Sequence, residues 1–354
     1  MVTKIFYTSP MTIINEFGTA AWYGTLGSCL TAIIFFGLLY LLMKRFPGQD
    51  LFQVLETVYG KIVGKILVLI LASYFLYYVA MNIREFSAIL KAYNLPFTPL
   101  SMTIFPFLLV VWVLAYVGLE GIARTTYIFS FLVFGGLALM LLLAIPAYSW
   151  DFLQPILGYG LRNTIITGFM RSSAYSEIVI LATIIGSLQG LKNFKRVGFS
   201  ALIISGLTIS LCTACLLAAF QFTSGGEHLS GLFQLSRTIY YSRFIQRLEA
   251  VFLFTWVFAA VLTVAVVFYI SLKAYCRAFQ IFDHRPLIFP YIFVTGALIS
   301  LPKNLPEVLQ VHVQFTREFS FLLLFTIPVI TLVFAVILKK GQKGEGSNEN
   351  KEQN

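Results

Sequence analysis

The chain has 354 residues, of which 58% are hydrophobic and only 11% are charged. Its mean hydropathy of +0.85 excludes a soluble globular protein and predicts an all-α integral membrane protein. The net charge of +10 does not indicate nucleic-acid binding, because the basic residues lie in short clusters between apolar runs.

The first segment, residues 1–14, is apolar but shorter than the roughly 20 residues that one membrane-spanning helix needs. Pro10 falls where the first turn of a helix tolerates proline. We interpret the segment as the second half of a helix. We therefore expect a further apolar stretch, with a glycine near the break, ahead of Met1.

Further apolar runs follow, each with about the length of one span. They cover residues 20–43, 66–90, 101–117, 127–145, 164–188, 197–220, 247–272, 287–301 and 319–338. Residues 50–65 are amphipathic, with Lys61 and Lys65 on the polar side, and predict a short helix at the membrane surface. With the first segment, the pattern predicts about ten transmembrane helices.

The basic loops set the orientation. Most basic residues, among them Lys44, Lys195, Arg277 and Lys340, lie on one side of the predicted spans. The positive-inside rule makes that side cytoplasmic, so we expect a cytoplasmic C-terminus. Residues 339–354 are too polar to fold alone and predict a disordered cytoplasmic tail.

Cysteine and histidine spacing offers no catalytic or metal site. Cys212 and Cys215 imitate a metal-binding pair, but no second pair follows in this apolar run, so we interpret them as small hydrophobic residues. His228, His284 and His312 are each isolated. We expect no enzyme activity, no metal and no cofactor.

The run at 164–188 has an unusual polar centre. An acid and several hydroxyls at half depth indicate a functional site, and the serine pair favours a break in the helix. The alternative is a continuous helix whose polar face packs inside the bundle. The polar residues are Arg171, Ser172, Ser173, Tyr175, Ser176 and Glu177.

Ten spans divide into two halves of five, at about residues 1–147 and 160–338, within one transmembrane domain of residues 1–338. Each half opens with an interrupted helix, which is helix 1 in the first half and helix 6 in the second. Because each half has an odd number of spans, the second half is inverted in the membrane relative to the first. This is the plan of many secondary transporters, which hold substrate at the midplane between the interrupted helices.

Several strings carry a family resemblance. VTKIFYTSP is similar to the unwound segment of helix one in amino acid, polyamine and organocation transporters. KRFPGQDLFQVLETVYGKIVGK, IREFSAILKAYNLPFTPL, GLEGIAR, RSSAYSEIVIL, FIQRLEAVFLFTW and DHRPLIFP together resemble the spore germination permease family, the B subunit of nutrient germinant receptors. The resemblance covers nearly the whole chain. Val2 stands where the superfamily motif has glycine.

The resemblance implies a LeuT-like 5+5 inverted-repeat fold and residence in the spore inner membrane. It also implies association with an A subunit and a lipoprotein C subunit. The ligand would be a small germinant, usually an amino acid, and membrane lipid would surround the chain. No nucleic-acid partner is expected.

An amino acid needs donors for its carboxylate and acceptors for its ammonium, which the ends of interrupted helices supply. Glu177 has three candidate roles, namely ligand contact, proton uptake or a structural hydrogen bond. We expect Lys4 to snorkel or to pair with an acid. The predicted ligand contacts are Thr3, Ile5, Phe6, Tyr7, Ser172, Ser173, Tyr175, Ser176 and Glu177.

Two further charge sets lie near span ends. Arg84 with Glu85, and Arg247 with Glu249, predict either a gating or subunit-contact network or plain ion pairs at helix ends. Three functions remain open for the chain. They are a germinant-sensing receptor subunit, an amino acid permease and a non-sensing channel-forming subunit.

Overall fold

The structure, a computed structural model, describes residues 1–222, 229–241 and 248–341. The chain is an all-α integral membrane protein, and seven helices of the described ranges are long and apolar enough to cross a membrane. The helices are α1 Ser9–Phe17, α2 Ala21–Arg45, α3 Leu51–Tyr59, α4 Lys61–Tyr93, α5 Leu100–Val117, α6 Leu119–Leu143, α7 Leu161–Arg171, α8 Ile180–Thr183, α9 Leu191–Ala219, α10 Gly231–Thr238, α11 Glu249–Ala278, α12 Arg285–Ile299 and α13 Leu305–Ile337.

Local sequence signals fix several helix ends. Asp50 caps α3, since its carboxylate accepts from the Gln53 N–H at 2.8 Å and the Gln53 side chain accepts from the Asp50 N–H at 2.9 Å. Gly60, with φ of 85°, separates α3 from α4 in a conformation that favours glycine. Asn304 caps α13 by accepting from the Glu307 N–H at 2.9 Å.

The core of the bundle is built on α4, α9 and α11. The hydroxyl of Ser271 in α11 donates to the carbonyl of Ala72 in α4 at 2.7 Å. Farther along these two helices, the ring centroids of Phe86 in α4 and Trp256 in α11 are 4.6 Å apart. These contacts make α4 and α11 antiparallel, and both helices bury most of their middle residues. By contrast, α5 and α6 bury few of their residues, as expected of lipid-facing helices.

Helix one and the segment after α7 depart from regular α-helix. Helix one consists of a 3-10 turn, Val2–Phe6, an extended Tyr7 and then α1. After α7 the chain forms a second 3-10 segment, Ser172–Val179, and then the short α8. The change of geometry after Arg171 falls at the serine pair that predicts a break. The second segment is called the polar 3-10 segment below.

Several predicted boundaries are wrong. Lys61 and Lys65 belong to α4 rather than to a surface helix, because α3 ends at Tyr59. Residues 191–196 and 273–278, expected as loops, are the first turns of α9 and the last turns of α11. In both, long basic side chains reach the membrane surface from within a helix.

The last helix also begins earlier than predicted. α13 starts at Leu305, not at residue 319, and contains two π-helical stretches, Val308–Val313 and Phe321–Thr326. Its polar first half therefore belongs to the bundle. Some expectations concern residues outside the described ranges, namely His228, Arg247 and most of the polar tail, residues 342–354.

Gly64 allows α4 to lie directly against α3. A Cβ added there would be 2.5 Å from the Cα of Glu56 and 2.9 Å from the carbonyl oxygen of Leu55. We expect Gly64→Ala to destabilise the protein by about 1–3 kcal/mol. This clash outweighs the roughly 0.5–1 kcal/mol that alanine gains over glycine in a helix.

Thermal unfolding in detergent measures the effect. Gly135 in α6 is the matched control, because a Cβ there meets no atom within 4 Å. Gly135→Ala is expected to be neutral or slightly stabilising. Equal transition temperatures for the two variants would show that α3 yields to the added methyl group.

Candidate ligand-binding site

A small cavity of about 60 Å³, called the polar cavity because of the polar side chains that line it, lies among five parts of the chain. Helix one, the middle of α4, the end of α7, the polar 3-10 segment and α13 form its wall. Its polar side chains are Lys4, Tyr7, Ser9, Thr12, Tyr78, Asn82, Glu85, Arg171, Ser173, Thr316, Arg317 and Ser320. Because polar groups at this depth need partners inside the protein, their contacts decide what the cavity can bind.

Glu85 satisfies the broken turn of helix one. The N–H of Thr8, which precedes α1, donates to Glu85 Oε1 at 3.3 Å, and the Thr8 hydroxyl donates to the same oxygen at 2.7 Å. Thr8 is the N-cap of α1, where backbone N–H groups lack helical partners. A buried carboxylate of α4 thus holds the start of α1.

Arg317 of α13 reaches the same turn. Its guanidinium donates to the hydroxyls of Thr8 at 2.9 Å and Ser9 at 3.1 Å. A third bond reaches the hydroxyl of Thr12 at 3.2 Å, and the ion-pair distance to Glu85 is 3.9 Å. An acid and a base therefore lie side by side at the start of α1, and both line the cavity.

Arg317 is absent from the site residues predicted from the sequence. The last predicted span begins at residue 319, so Arg317 fell into an expected outer loop. Ser320 follows Thr316 by four residues and Arg317 by three, and all three line one cavity. This helical spacing of polar residues was the signal that could have revealed them.

Two serines of the polar 3-10 segment bond locally, each to the carbonyl three residues before it. Ser172 Oγ donates to the carbonyl of Phe169 at 2.7 Å, and Ser176 Oγ donates to that of Ser173 at 2.8 Å. Both serines are completely buried. Ser173 lines the polar cavity, as does Tyr7 from helix one.

The other apolar and aromatic candidates lie in the packed core. Ile5 and Phe6 are buried, and the Phe6 ring is 5.9 Å from that of Phe252. Tyr175 is buried and donates to the carbonyl of Thr25 at 3.4 Å. These three side chains pack between helices.

Glu177 joins the polar 3-10 segment to helix one and α4. Its carboxylate is 3.1 Å from Lys4 Nζ and accepts a hydrogen bond from the Tyr78 hydroxyl. The amino group of Met1 is 2.5 Å from its other oxygen. Lys4 also donates to the carbonyl of Ala174 at 2.7 Å. The expectation that Lys4 pairs with an acid is confirmed, and Glu177 is that acid.

A second, mostly apolar cavity of about 320 Å³ lies on the other side of Glu177. Thr3 lines it, and the Thr3 hydroxyl is 2.6 Å from that of Thr263 in α11. Glu177 lines this larger cavity, whereas Lys4 and Tyr78 line the polar one. One layer of side chains thus separates the two cavities.

The charges around the polar cavity are arranged in pairs. Each base that lines it has an acidic partner from another element, and of these partners Glu85 lies in the lining itself, so the pairs, rather than the lining alone, balance the charge. Arg171 binds Glu16 with two guanidinium nitrogens. The pairs are Arg171–Glu16, Arg317–Glu85 and Lys4–Glu177.

The predicted gating residues lie in two places. Arg84 is buried and donates to the carbonyl of Pro302 at 2.7 Å, while Glu85 belongs to the polar cavity. Glu249, at the start of α11, pairs with Arg237 of α10 at 2.9 Å. Arg247 lies outside the described residues. The proposed coupling between the two sets stays a prediction.

An all-α membrane bundle with a small cavity beside an interrupted first helix is the architecture expected of a permease-like membrane protein. The family model described as "Spore germination protein" matches residues 4–308, and the chain belongs to this family. It is a family of germination and permease-like membrane proteins, not a known enzyme family.

Two relatives in Bacillus subtilis (strain 168) match over almost their full length. Spore germination protein KB is 23% identical over 346 residues, covering 94% of this chain and 91% of the relative. Spore germination protein YndE is 22% identical over 354 residues, covering 95% of this chain and 93% of the relative.

Proposed function

We propose that the chain is the membrane subunit of a spore nutrient germinant receptor, which binds a small amino acid in the polar cavity and signals germination. Family membership supports the germination context. The observation that carries the ligand site is the pairing of Arg317 with Glu85 at the start of α1, where the two groups are 3.9 Å apart and line one cavity.

The two charges match the two ends of a zwitterion. Glu85 would accept from the ligand ammonium, and the Arg317 guanidinium would donate to the carboxylate as a charge-assisted pair. The hydroxyls of Ser9 and Thr12 are further donors. Entry of the ligand would replace the contacts that Arg317 makes in the closed cavity.

The paired charges and the size narrow the ligand class. Since each base has an acidic partner, a ligand without net charge would leave this balance undisturbed. A volume of about 60 Å³ has room for about four to six water molecules, on a measure of roughly 10–15 Å³ each. We therefore propose a small neutral amino acid.

The remaining residues have other roles in this proposal. Glu177 would be a structural or gating residue, because Lys4 and Tyr78 occupy its carboxylate. Tyr7 and Ser173 would contact the ligand. The other predicted contacts are kept as predictions for an opened cavity, namely Thr3, Ile5, Phe6, Ser172, Tyr175 and Ser176.

The cellular setting is also proposed. The chain would lie in the spore inner membrane with a cytoplasmic C-terminus, assemble with A and C subunits, and act without catalysis. The LeuT-like inverted repeat belongs to the same proposal and is supported by the interruptions in helix one and after α7.

Equilibrium binding tests the ligand assignment. The purified chain in lipid nanodiscs would be titrated with each standard L-amino acid in turn, with heat release and thermal stabilisation as readouts. We expect saturable binding of one or more small neutral amino acids and none of lysine or glutamate. No binding by any member of this panel, with the protein folded, would overturn the proposal.

A second candidate is secondary transport of the same ligand. The observation that favours it is the pair of cavities on opposite sides of Lys4, Tyr78 and Glu177. Uptake of radiolabelled amino acid into proteoliposomes separates the two functions. Binding without uptake supports a receptor, and uptake supports a permease. Ion conductance without binding would support the channel-forming alternative.

A further inference from the structure

A buried serine connects the short helix α10 to the interrupted turn of helix one. Ser230 Oγ donates to the carbonyl of Phe6 at 3.0 Å and, as the N-cap of α10, accepts from the Phe233 N–H at 3.5 Å. Phe6 immediately precedes Tyr7, which lines the polar cavity. One hydroxyl therefore links the first turn of α10 to the residue beside the proposed ligand site.

The helix is fixed on this side by several further contacts. The hydroxyl of Tyr93 in α4 accepts from the N–H groups of Leu229 at 3.0 Å and Ser230 at 3.3 Å. The ring of Phe233 stacks on that of Tyr93, with centroids 4.4 Å apart. A Cβ on Gly231 would come within 2.0 Å of Met11 in α1. α10 and helix one thus cannot move independently without breaking close packing.

The C-terminal end of α10 is exposed. Arg237 and Thr238 lie at its surface, and Arg237 pairs with Glu249 of α11. The helix therefore extends from the carbonyl beside the proposed ligand cavity to the protein surface. A shift of Phe6 on ligand entry would alter the position of α10, because the Ser230 hydroxyl bonds to that carbonyl.

We propose that Ser230 is a positioning residue for the ligand cavity and that α10 couples the state of the interrupted turn to the exposed surface of the protein. This inference rests on the proposed binding function. Coupling of this kind is reciprocal, so a change at the surface of α10 alters ligand affinity as ligand binding alters α10.

A cysteine reporter at Thr238 tests the coupling in the full chain in nanodiscs. All four native cysteines are buried, namely Cys29, Cys212, Cys215 and Cys276. A maleimide added to the Thr238→Cys variant therefore reacts mainly with the introduced thiol. The probe is the standard L-amino acid that binds the unmodified protein most tightly. We expect saturating amino acid to change the labelling rate several-fold.

Serine variants connect this response to the Phe6 carbonyl. Ser230→Ala is expected to weaken amino acid affinity by about tenfold, because it leaves a buried carbonyl without its donor, and to abolish the ligand-dependent labelling change. Ser230→Thr keeps a hydroxyl at this position and should therefore retain both the amino acid affinity and the ligand-dependent labelling change. Ser236 is the matched control, since its buried hydroxyl bonds inside α10 to the Phe233 carbonyl at 2.6 Å. Ser236→Ala should leave both measurements unchanged.

The outcomes separate the two proposals. Amino acid binding with no change in Thr238→Cys labelling would overturn the coupling and leave the ligand site intact. The coupling is overturned in the same way if Ser230→Ala binds and responds like the unmodified protein. Absence of any amino acid binding by the unmodified protein would remove the proposed function and this inference together.

Discussion

Glu177→Gln is expected to destabilise the protein by about 3 kcal/mol, because removing one partner of a largely buried ion pair leaves the other charge without compensation. Lys4 would lose the carboxylate now 3.1 Å away, and the side chains of Lys4 and Glu177 are only 19% and 10% exposed. Thermal unfolding in nanodiscs measures the loss. Amino acid binding should also weaken, since Lys4 and Tyr78 line the polar cavity.

Two further variants identify the cause. In Lys4→Met with Glu177→Gln, the lysine charge is absent as well and only the amino group of Met1 keeps its charge, so part of the lost stability should return. Glu120 in α6 is the matched acidic control, because it pairs with Arg124 at 2.6 Å while both side chains are more than three-quarters exposed. Glu120→Gln should change stability by less than about 1 kcal/mol. Strictly additive losses for Lys4 and Glu177 would remove the proposed pairing from the explanation.

Composition and charge placement were sufficient to predict the membrane class and to identify Glu177 as an acid that needs a partner inside the bundle. The apolar runs can only be spans, and an acid at half depth must have a partner. The identity of that partner was not accessible, because Lys4 lies far away in the sequence. Pairing with an acid could be expected from the chemistry of lysine alone, but the choice of Glu177 depends on how helix one crosses the polar 3-10 segment.

The serines show what residue type alone leaves open. Ser172 and Ser176 have the hydroxyls that a ligand site needs, yet a 3-10 segment brings carbonyls three residues back within reach of them. Only the three-dimensional path of the backbone shows that Ser173 lines the polar cavity while Ser172 and Ser176 bond to nearby carbonyls. Arg317 was missed for a related reason, because hydrophobicity located the apolar half of α13 and not its polar start.

Glu85→Gln is expected to abolish most amino acid binding, with a loss of at least about tenfold in affinity. Hydrogen bonds to charged groups contribute about 1.5–3 kcal/mol, and Gln cannot neutralise a ligand ammonium. The amide oxygen of Gln can still accept from the N–H and hydroxyl of Thr8, so folding should be less affected than binding. Isothermal titration gives the affinity and thermal unfolding gives the stability.

Arg317→Lys tests the other end of the ligand. Lysine keeps the positive charge but loses the planar fork that reaches Thr8, Ser9 and Thr12 together. We expect affinity to fall by about tenfold or more, the equivalent of roughly 1.4 kcal/mol. Glu318 is the control, since this neighbour in α13 is exposed and bonds to Gln314 of the same helix at 3.0 Å. Glu318→Gln should bind normally. If Glu85→Gln and Arg317→Lys both retain full affinity, the opposed charges of the polar cavity do not hold a zwitterion, and the ligand must lie elsewhere in the bundle.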